Sequence, residues 1–481
     1  MTLRAQVLSG LKWAAGARLL GQIVTWGITI VVMRLLTPGD YGLLSLATIF
    51  VAFIGIVAEI GLSAGVIQSR EIETDQLRAI FGAVIAMSMI LCLLLVLVLA
   101  PAAARYFSEP RLELVMQVLA LQFLPNAFTV LPTALLERDL KFRGRSIVDL
   151  LSTIVGSLLT LGLAYAGFGV WALVWGTLAA AVFRALGLNC VRPFIRTPSF
   201  ALSKAGHLFR FSRDVVLTRL LWFLYSQSDA FIAGKILGTH SLGLYSVSMH
   251  IASLPVQRAS AIINQVAFAA FARANRESGR VDFHTLSSVR ALSFFAFPVL
   301  WGMSSVAPEF VSVVLGKKWE PAIPAFLLLC LVMPLRMLSP VLHSALQGIG
   351  RADVSLRNTA LAAVVMPITF YIGCQFDLLG LALAWVLAFP LVFFTTLVRS
   401  LPHLQIKVRA LLAAMAAPAL ISAVMYAGVW GTRFALGTDT VTNLPMLVFV
   451  GVVIYATLSL GFNRSGVREV WSMVTHKNRS T

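Results

Sequence analysis

Apolar residues fill long segments along almost the whole chain, and short polar or turn-forming stretches separate these segments. A helix of about 20 apolar residues spans the roughly 30 Å of hydrocarbon in a bilayer, and segments of this length recur throughout. Polar positions inside the segments do not alternate every second residue, as they would in the strands of a membrane β-barrel. The pattern therefore predicts an all-α polytopic membrane protein.

Hydropathy and turn residues together predict about fourteen transmembrane helices. The first follows Arg4 and Lys12 and is too long for a signal peptide, so we expect it to remain in the protein. Short connections within two pairs of segments leave the number open by about two helices. The predicted helices lie near residues 14–36, 42–67, 79–103, 112–136, 146–166, 168–189, 214–237, 242–272, 289–315, 322–347, 357–376, 378–398, 410–430 and 444–463.

One short pattern occurs twice. It reads RLLTPGDYGLLS at 34–45 and KILGTHSLGLYS at 235–246, an offset of 201 residues. In both copies a cation precedes an aliphatic pair, a polar stretch follows, and a Gly-Leu-X-Ser run begins the next apolar segment. The polar stretches, Pro38-Gly39-Asp40 and Gly238-Thr239-His240, are expected to break the helix and form a turn.

The repeat predicts duplicated lobes. Arg18-Leu19-Leu20 matches Arg219-Leu220-Leu221 at the same offset, although leucine-rich helices also align by chance. Six predicted helices separate the copies, and an even number of crossings gives both copies one orientation. We expect two pseudo-symmetric six-helix lobes, residues 1–200 and 201–400, and two additional helices with a cytoplasmic tail in residues 401–481. Duplicated lobes suit transport by alternating access.

The chain is strongly basic, but the position of the cations explains this. A net charge of +18 comes from 38 Lys and Arg against 20 Asp and Glu, while 59% of residues are hydrophobic and 12% charged. Most of the cations fall in connections that are cytoplasmic if the N-terminus is cytoplasmic, which is the positive-inside bias of membrane proteins. We therefore predict that both termini are cytoplasmic, and we expect no nucleic acid partner.

The sequence lacks the patterns of an enzyme or a metal site. Its four cysteines lie in apolar segments without CxxC spacing, so neither a disulfide framework nor a zinc site is indicated. No Ser-His-Asp set, Gly-rich phosphate loop or metal-ligand cluster stands out. We expect no enzymatic activity, no metal and no cofactor, and coupling to H⁺ or Na⁺ stays open.

Charged side chains inside predicted helices are the candidate functional residues, because such groups usually face a protein interior or an aqueous cavity. Arginine binds phosphate and carboxylate oxygens in a bidentate manner, so surplus arginines predict an anionic ligand. The predicted substrate-binding residues are Arg18, Arg219, Arg258, Arg336, Arg184 and Trp222. Glu59 is the expected charge partner of an arginine, and Asp229 is the candidate for ion coupling.

Structural roles are the alternatives for these residues. Arg18 and Arg219 would be interfacial anchors if their helices begin later in the sequence, and Arg184 lies close to a basic linker. Asp229 would equally suit a hydrogen bond between helices. Trp222 is one helical turn from Arg219 and suits either stacking on a sugar or the aromatic belt at the headgroups.

Three stretches carry a family resemblance: MRLLTPGDYGLLSLA at 33–47, LLERDLKFR at 135–143 and ALQGIGRADV at 345–354. With the predicted layout, they resemble the polysaccharide-transporter branch of the MOP (multidrug/oligosaccharidyl-lipid/polysaccharide) flippase superfamily. The resemblance implies Wzx-like flipping of undecaprenyl-diphosphate-linked oligosaccharide repeat units to the periplasmic leaflet of the bacterial inner membrane. Implied partners are this lipid-linked oligosaccharide diphosphate, membrane lipid, and the polymerase and export machinery for exopolysaccharide, capsule or O-antigen.

Three other functions are alternatives. The same superfamily fold supports cation-coupled multidrug exporters, but an arginine-rich interior disfavours their usually cationic substrates. A glycan polymerase or ligase would need outward-facing catalytic loops, whereas the predicted outer connections are mostly short. A scaffold without transport activity is the third alternative.

Overall fold

The computed structural model describes residues 16, 21, 24–58, 74–139, 142–194, 197, 199, 206–277, 281–436, 440–464 and 466–467. All regular secondary structure in these residues is helical, which confirms the predicted all-α membrane fold. The helices of the first half are α1 (Val24–Leu35), α2 (Pro38–Ala58), α3 (Thr74–Leu94), α4 (Ala100–Phe107), α5 (Arg111–Ala120), α6 (Phe123–Arg138), α7 (Phe142–Tyr165), α8 (Val170–Val191) and α9 (Gly206–Ile236). Those of the second half are α10 (Gly238–Glu277), α11 (Val281–Ser305), α12 (Ala307–Phe310), α13 (Ile323–Gly348), α14 (Ala352–Cys374), α15 (Asp377–Ser400), α16 (Val408–Leu436) and α17 (Thr440–Phe462).

Eleven helical segments within the described residues are long and apolar enough to cross a membrane. α3 and α4 form one of these segments through a π-helical turn at Leu95–Leu99. α1 is shorter than the eleven, and α9 and α10 are less apolar. The number of fourteen helices therefore stays a prediction.

The two stretches expected as turns in the repeat instead begin helices. Pro38-Gly39-Asp40 forms the first turn of α2, and Gly238-Thr239-His240 forms the first turn of α10. Proline suits this position because N–H groups in a first helical turn have no intrahelical acceptor. Gly238 has a φ of 78°, which lets the chain reverse from α9 into α10 through the single intervening residue Leu237.

The chain divides into two compact units, Met1–Gly243 and Leu244–Thr481. The predicted lobe boundaries near residues 200 and 400 stay predictions. In the first unit, α7 and α8 form a closely packed hairpin. A Cβ atom added to Gly156 would overlap α8, and one added to Gly176 would overlap α7, so glycine permits the close approach of the two backbones.

The repeated glycines mark a crossing of α2 and α10 in the first unit. A Cβ atom on Gly42 would overlap the backbone carbonyl of Thr239, and one on Gly243 would overlap the carbonyl of Pro38. These two contacts relate to each other by the same offset of 201 residues as the sequence repeat. The repeated Gly-Leu-X-Ser pattern thus encodes a symmetric contact between the first turns of two helices.

Asp40 connects the start of α2 to the start of α8. The backbone N–H and the hydroxyl of Thr37 donate to Asp40 Oδ2 over 3.0 and 2.6 Å. The backbone N–H of Val170 donates to Asp40 Oδ1 over 3.1 Å. A carboxylate at a helix N-terminus satisfies otherwise unpaired donors, and here it does so for two helices. The aspartate of the PGDYG motif therefore has a structural role.

A second set of contacts joins the end of α9 and the start of α10 to the connection between α4 and α5. Lys235 donates to the backbone carbonyl of Tyr106, and its ammonium lies 4.7 Å from the centre of the Tyr106 ring. Arg111 donates from Nε to Glu109 over 2.9 Å, and this hydrogen bond holds the pKa of the Glu109 carboxyl below its usual value. Thr239 contacts the same carboxylate at 3.4 Å. These polar groups tie the α4–α5 connection to the α9–α10 connection of the first unit.

In the second unit, α13 packs against α11 and α15 and is buried along most of its length. α14 and α15 form a closely packed hairpin. A Cβ atom added to Gly373 would overlap the backbone carbonyl of Gly380, and one added to Gly380 would overlap that of Gly373. Arg433, at the end of α16, donates from Nε to Glu309 over 2.6 Å, and both side chains are largely buried. This buried ion pair fixes α16 against α12.

Candidate functional site

Polar side chains follow one face of α13, an otherwise apolar helix. Their spacing of three, four and four residues places them on a single stripe. The polar stripe of α13 comprises Arg336, Ser339, His343 and Gln347. The first three are half-buried and Gln347 is exposed, whereas the opposite face, which includes Leu338 and Ala345, is buried.

Arg336 stacks on an aromatic ring. Its guanidinium carbon lies 4.6 Å from the centre of the Trp385 ring on α15, and its Nη1 lies 3.4 Å from the sulfur of Met249 on α10. Among the described residues, no carboxylate lies within ion-pair distance of Arg336. A cation over the face of an indole is stabilised electrostatically and keeps the edge of the guanidinium open to a ligand.

The orientation of the Trp385 ring is itself fixed. The indole Nε1–H donates to the hydroxyl of Tyr245 over 2.7 Å, and the two side chains are 2% and 1% exposed. The rings of Phe370 and Phe389 lie 5.0 and 5.6 Å from the Trp385 ring. Helices α10, α14 and α15 therefore build a rigid aromatic support under Arg336.

A second polar stripe follows α10 next to Arg336. The polar stripe of α10 comprises Ser246, His250, Ser253 and Gln257, and Met249 lies beside it. His250 and Gln257 are exposed, and Gln257 donates from Nε2 to the Ser253 hydroxyl over 3.1 Å. Because Met249 contacts Arg336, the two stripes adjoin at this point.

His343 lies two helical turns after Arg336 on the same stripe. Its Nδ1 is 3.1 Å from the carbonyl oxygen of Ser339, and its Nε2 is 3.4 Å from the hydroxyl oxygen of Thr359 on α14. The Thr359 hydroxyl also donates to the carbonyl of Ser355 over 3.1 Å. The imidazole thus presents a fixed polar surface at a position where an apolar residue would be expected.

Four of the sequence-predicted residues cannot be placed by their side chains. Arg18 and Glu59 lie outside the described residues. Arg219 and Arg258 lie on α9 and α10, where only the backbone is described at these positions. Their predicted roles stay predictions.

Three other predicted residues lie in the first unit. Arg184 on α8 donates from Nε to Asp149 on α7 over 2.8 Å, and Arg145 lies 3.6 Å from the same carboxylate. Trp222 on α9 is 59% exposed. Asp229, also on α9, is buried and accepts a hydrogen bond from the backbone N–H of Ala230. The ion pair gives Arg184 a structural explanation, and the functional roles of all three residues stay predictions.

The sequence reasoning did not single out the partners of Arg336. The polar stripes carried a signal, since polar residues recur at helical spacing within apolar segments. Nothing in the sequence indicated that Tyr245 and Trp385 belong to the site, because a buried aromatic side chain in a membrane helix cannot be told from an ordinary packing residue. No cluster of three or more His, Cys, Asp or Glu side chains suited to a metal occurs in the described part of the chain.

The chain matches a protein family and individual known proteins whose names refer to polysaccharide, lipopolysaccharide or teichuronic acid biosynthesis. The family described as "Polysaccharide biosynthesis protein" matches residues 31–324. An "Uncharacterized membrane protein in cps region" of Klebsiella pneumoniae is 25% identical over 391 residues, which cover 80% of each chain. "Lipopolysaccharide biosynthesis protein WzxC" of Escherichia coli K12 is 26% identical over 389 residues, 78% of this chain and 76% of that protein. "Teichuronic acid biosynthesis protein TuaB" of Bacillus subtilis is 26% identical over 392 residues, 80% of this chain and 79% of that protein.

Solved structures share the fold. The lipid II flippase MurJ, in an inward closed conformation, superposes with a TM-score of 0.74 at 12% identity, covering 94% of this chain and 99% of MurJ. An inward-facing multidrug resistance MATE transporter of the MOP superfamily superposes with a TM-score of 0.58 at 16% identity, covering 79% of this chain and 95% of the transporter. The all-helical fold is therefore the one found in these two transporters.

Proposed function

Because this chain belongs to the polysaccharide biosynthesis protein family, we propose that it flips lipid-linked oligosaccharide repeat units across a bacterial inner membrane. The units are linked to undecaprenyl diphosphate and move from the cytoplasmic to the periplasmic leaflet for surface polysaccharide synthesis. The family match, the names of the relatives from Escherichia coli and Bacillus subtilis, and the MOP-type fold support this proposal.

Arg336 is the observation that carries the proposal. A guanidinium in the middle of a membrane-spanning helix is costly unless it meets a counter-charge or water. Arg336 is half-buried, stacks on Trp385 and has no carboxylate partner among the described residues. A diphosphate supplies the missing negative charge and the planar pairs of oxygens that an arginine edge binds.

The mechanism that fits these features is alternating access. With the cytoplasmic side open, Arg336 binds the diphosphate while the polyprenyl tail stays in lipid. A conformational change then exposes the headgroup to the periplasm, where it dissociates. We propose the same anion-binding role for Arg18, Arg219 and Arg258, and for Arg184 in addition to its ion pair with Asp149. Glu59 is the proposed charge partner, Trp222 a sugar contact and Asp229 a site for H⁺ or Na⁺.

The multidrug exporter alternative predicts the opposite ligand charge. An exporter of cationic drugs gains nothing from an unpaired arginine in its binding site, because like charges repel. Nothing in the described contacts of Arg336 reverses this preference.

The test replaces Arg336 in cells that depend on this protein for surface polysaccharide. We expect both Arg336→Ala and Arg336→Lys to lower surface polysaccharide about tenfold or more and to accumulate the lipid-linked intermediate in the inner leaflet. Lysine keeps the charge but loses the stacking and the bidentate geometry. Arg357→Ala, which changes an exposed arginine of α14, is the matched control. Normal polysaccharide in both Arg336 variants, at wild-type protein levels, would contradict the proposal.

A further inference from the structure

Two charge-free stretches adjoin Arg336 in the second unit. Residues 246–257 of α10 and 337–348 of α13 contain no Asp, Glu, Lys or Arg, yet each carries a polar stripe. Gln257 on α10 is exposed, and His343 on α13 is half-buried. Polar side chains in a membrane-spanning helix are expected to face protein or an aqueous cavity and not lipid. The exposed members of the stripes, His250, Gln257 and Gln347, are therefore expected to face water beside the arginine.

The stripes run in parallel from the point where they meet. One membrane crossing, α11, separates α10 from α13, so α10 and α13 run in the same direction through the membrane. From Met249 to Gln257 the helix rises about 12 Å, and from Arg336 to Gln347 it rises about 16 Å. Apart from Ser246, which precedes Met249, the polar groups thus extend over two to three helical turns on both helices and on the same side of the Arg336 contact.

The hydrogen-bonding groups of the stripes suit hydroxyls. The His250 side chain makes no hydrogen bond among the described residues. Gln257 uses one amide N–H for the Ser253 hydroxyl, and its carbonyl oxygen accepts no hydrogen bond from the described side chains. Neutral imidazole and amide groups each offer a donor and an acceptor, as a sugar hydroxyl does. A full charge would find no counter-charge in either stripe beyond Arg336 itself.

We propose that the two polar stripes form an uncharged sugar-binding track beside Arg336. In this track, His250, Ser253 and Gln257 bind the hydroxyls of the sugar that is attached directly to the diphosphate, and the α13 stripe forms the facing wall. The inference rests on the proposed function, because Arg336 determines where the diphosphate lies. It adds that this first sugar is neutral, since a sugar carboxylate would compete with the diphosphate for the same guanidinium.

The test compares three probes on the full-length protein in lipid nanodiscs: farnesyl diphosphate, glucosyl-diphosphofarnesol and glucuronosyl-diphosphofarnesol. Equilibrium binding is measured by isothermal titration calorimetry. We expect the neutral glucosyl group to tighten binding about tenfold over the bare diphosphate, the effect of one or two net hydrogen bonds. The acidic glucuronosyl group is expected to give a smaller gain.

Variants separate the track from the arginine. In Gln257→Ala, which changes an exposed side chain, and in Gln257→Ala with His250→Ala, which changes two exposed side chains, the ratio of glucosyl to bare affinity is expected to fall towards one. Gln375→Ala, at the turn between α14 and α15, changes a glutamine outside both stripes and should keep the wild-type ratio. Arg336→Ala should weaken all three probes alike, and its failure to do so would contradict the proposed function and not the track. An unchanged ratio in both Gln257 variants, or no gain from glucose in the wild-type protein, would overturn the track.

Discussion

An aromatic ring, and not an acidic side chain, packs against the guanidinium of Arg336. A carboxylate would neutralise the guanidinium and occupy the N–H donors that a ligand needs. The indole of Trp385 instead stabilises the charge from one face and leaves the planar edge unoccupied. Tyr245 completes this arrangement, because it accepts the indole N–H and so prevents rotation of the ring. The proposed anion site would therefore keep its charge when the ligand is absent.

Tyr245→Phe is expected to destabilise the second unit. The change removes the acceptor of a fully buried indole N–H, and leaving such a donor unpaired costs about 1–3 kcal/mol. Chemical unfolding in detergent measures this loss. Tyr371→Phe, at an exposed tyrosine of α14, removes the same hydroxyl without a buried partner and should leave stability unchanged. Equal stabilities for the two variants would contradict a stabilising role of the hydrogen bond from Trp385 to Tyr245.

The sequence predicted the charged member of this site and missed its neighbours. Arg336 stands out because a charge within an apolar segment is rare. Trp385 and Tyr245 come from two other helices, and only tertiary packing brings them to Arg336. The sequence also could not show that Asp149 pairs with Arg184, since the two lie on different helices of one hairpin.

At the scale of the helices, glycine sets how closely the elements pack. α2 with α10, α7 with α8, and α14 with α15 all approach at glycines whose added Cβ would overlap the facing helix. Small residues are the usual means of close helix packing in membranes, where burial of apolar surface does not drive helices together. The sequence repeat at Gly42 and Gly243 is thus explained by helix packing.

Gly42→Ala and Gly243→Ala are each expected to destabilise the first unit by about 1–3 kcal/mol, because the new methyl group overlaps a backbone carbonyl that cannot rotate away. Protein yield and thermal unfolding measure the effect. Gly55→Ala is the matched control on the same helix as Gly42, since nothing lies within 4 Å of its added Cβ. Alanine should be neutral or slightly stabilising there. Similar behaviour of all three variants would contradict the crossing.

The sequence predicted where the helices lie more accurately than it predicted where each helix begins and ends. The predicted segments at 112–136 and 378–398 correspond to α5 with α6 and to α15, because apolar length determines where a chain crosses the bilayer. By contrast, α9 begins at Gly206, eight residues before the predicted start at 214. Backbone hydrogen bonding continues beyond the apolar segment, and hydropathy does not register it.

At the scale of the whole molecule, the arginines fall into two groups. Arg145, Arg184 and Arg433 each lie in an ion pair with an acidic side chain of a neighbouring helix or turn. Arg336 has no such partner among the described residues. Paired arginines hold helices together, whereas an unpaired one within a spanning helix requires a ligand or water. We therefore propose that the excess of positive charge serves both topology and binding.

Reporter fusions test the predicted topology of the whole chain. The positive-inside bias predicts that connections rich in Lys and Arg stay in the cytoplasm. Alkaline phosphatase fused after Ser108, Gly167 or Phe376 is expected to be active, because these connections are predicted to face the periplasm. Green fluorescent protein fused after Asp139 or Gln405 is expected to fluoresce, because these connections are predicted to be cytoplasmic.

Exchange of the two reporters at each position is the control, and it should reverse every signal. A pattern in which phosphatase is active after Asp139 and inactive after Ser108 would place the N-terminus outside, and the cytoplasmic opening assumed for the flippase cycle would then be wrong.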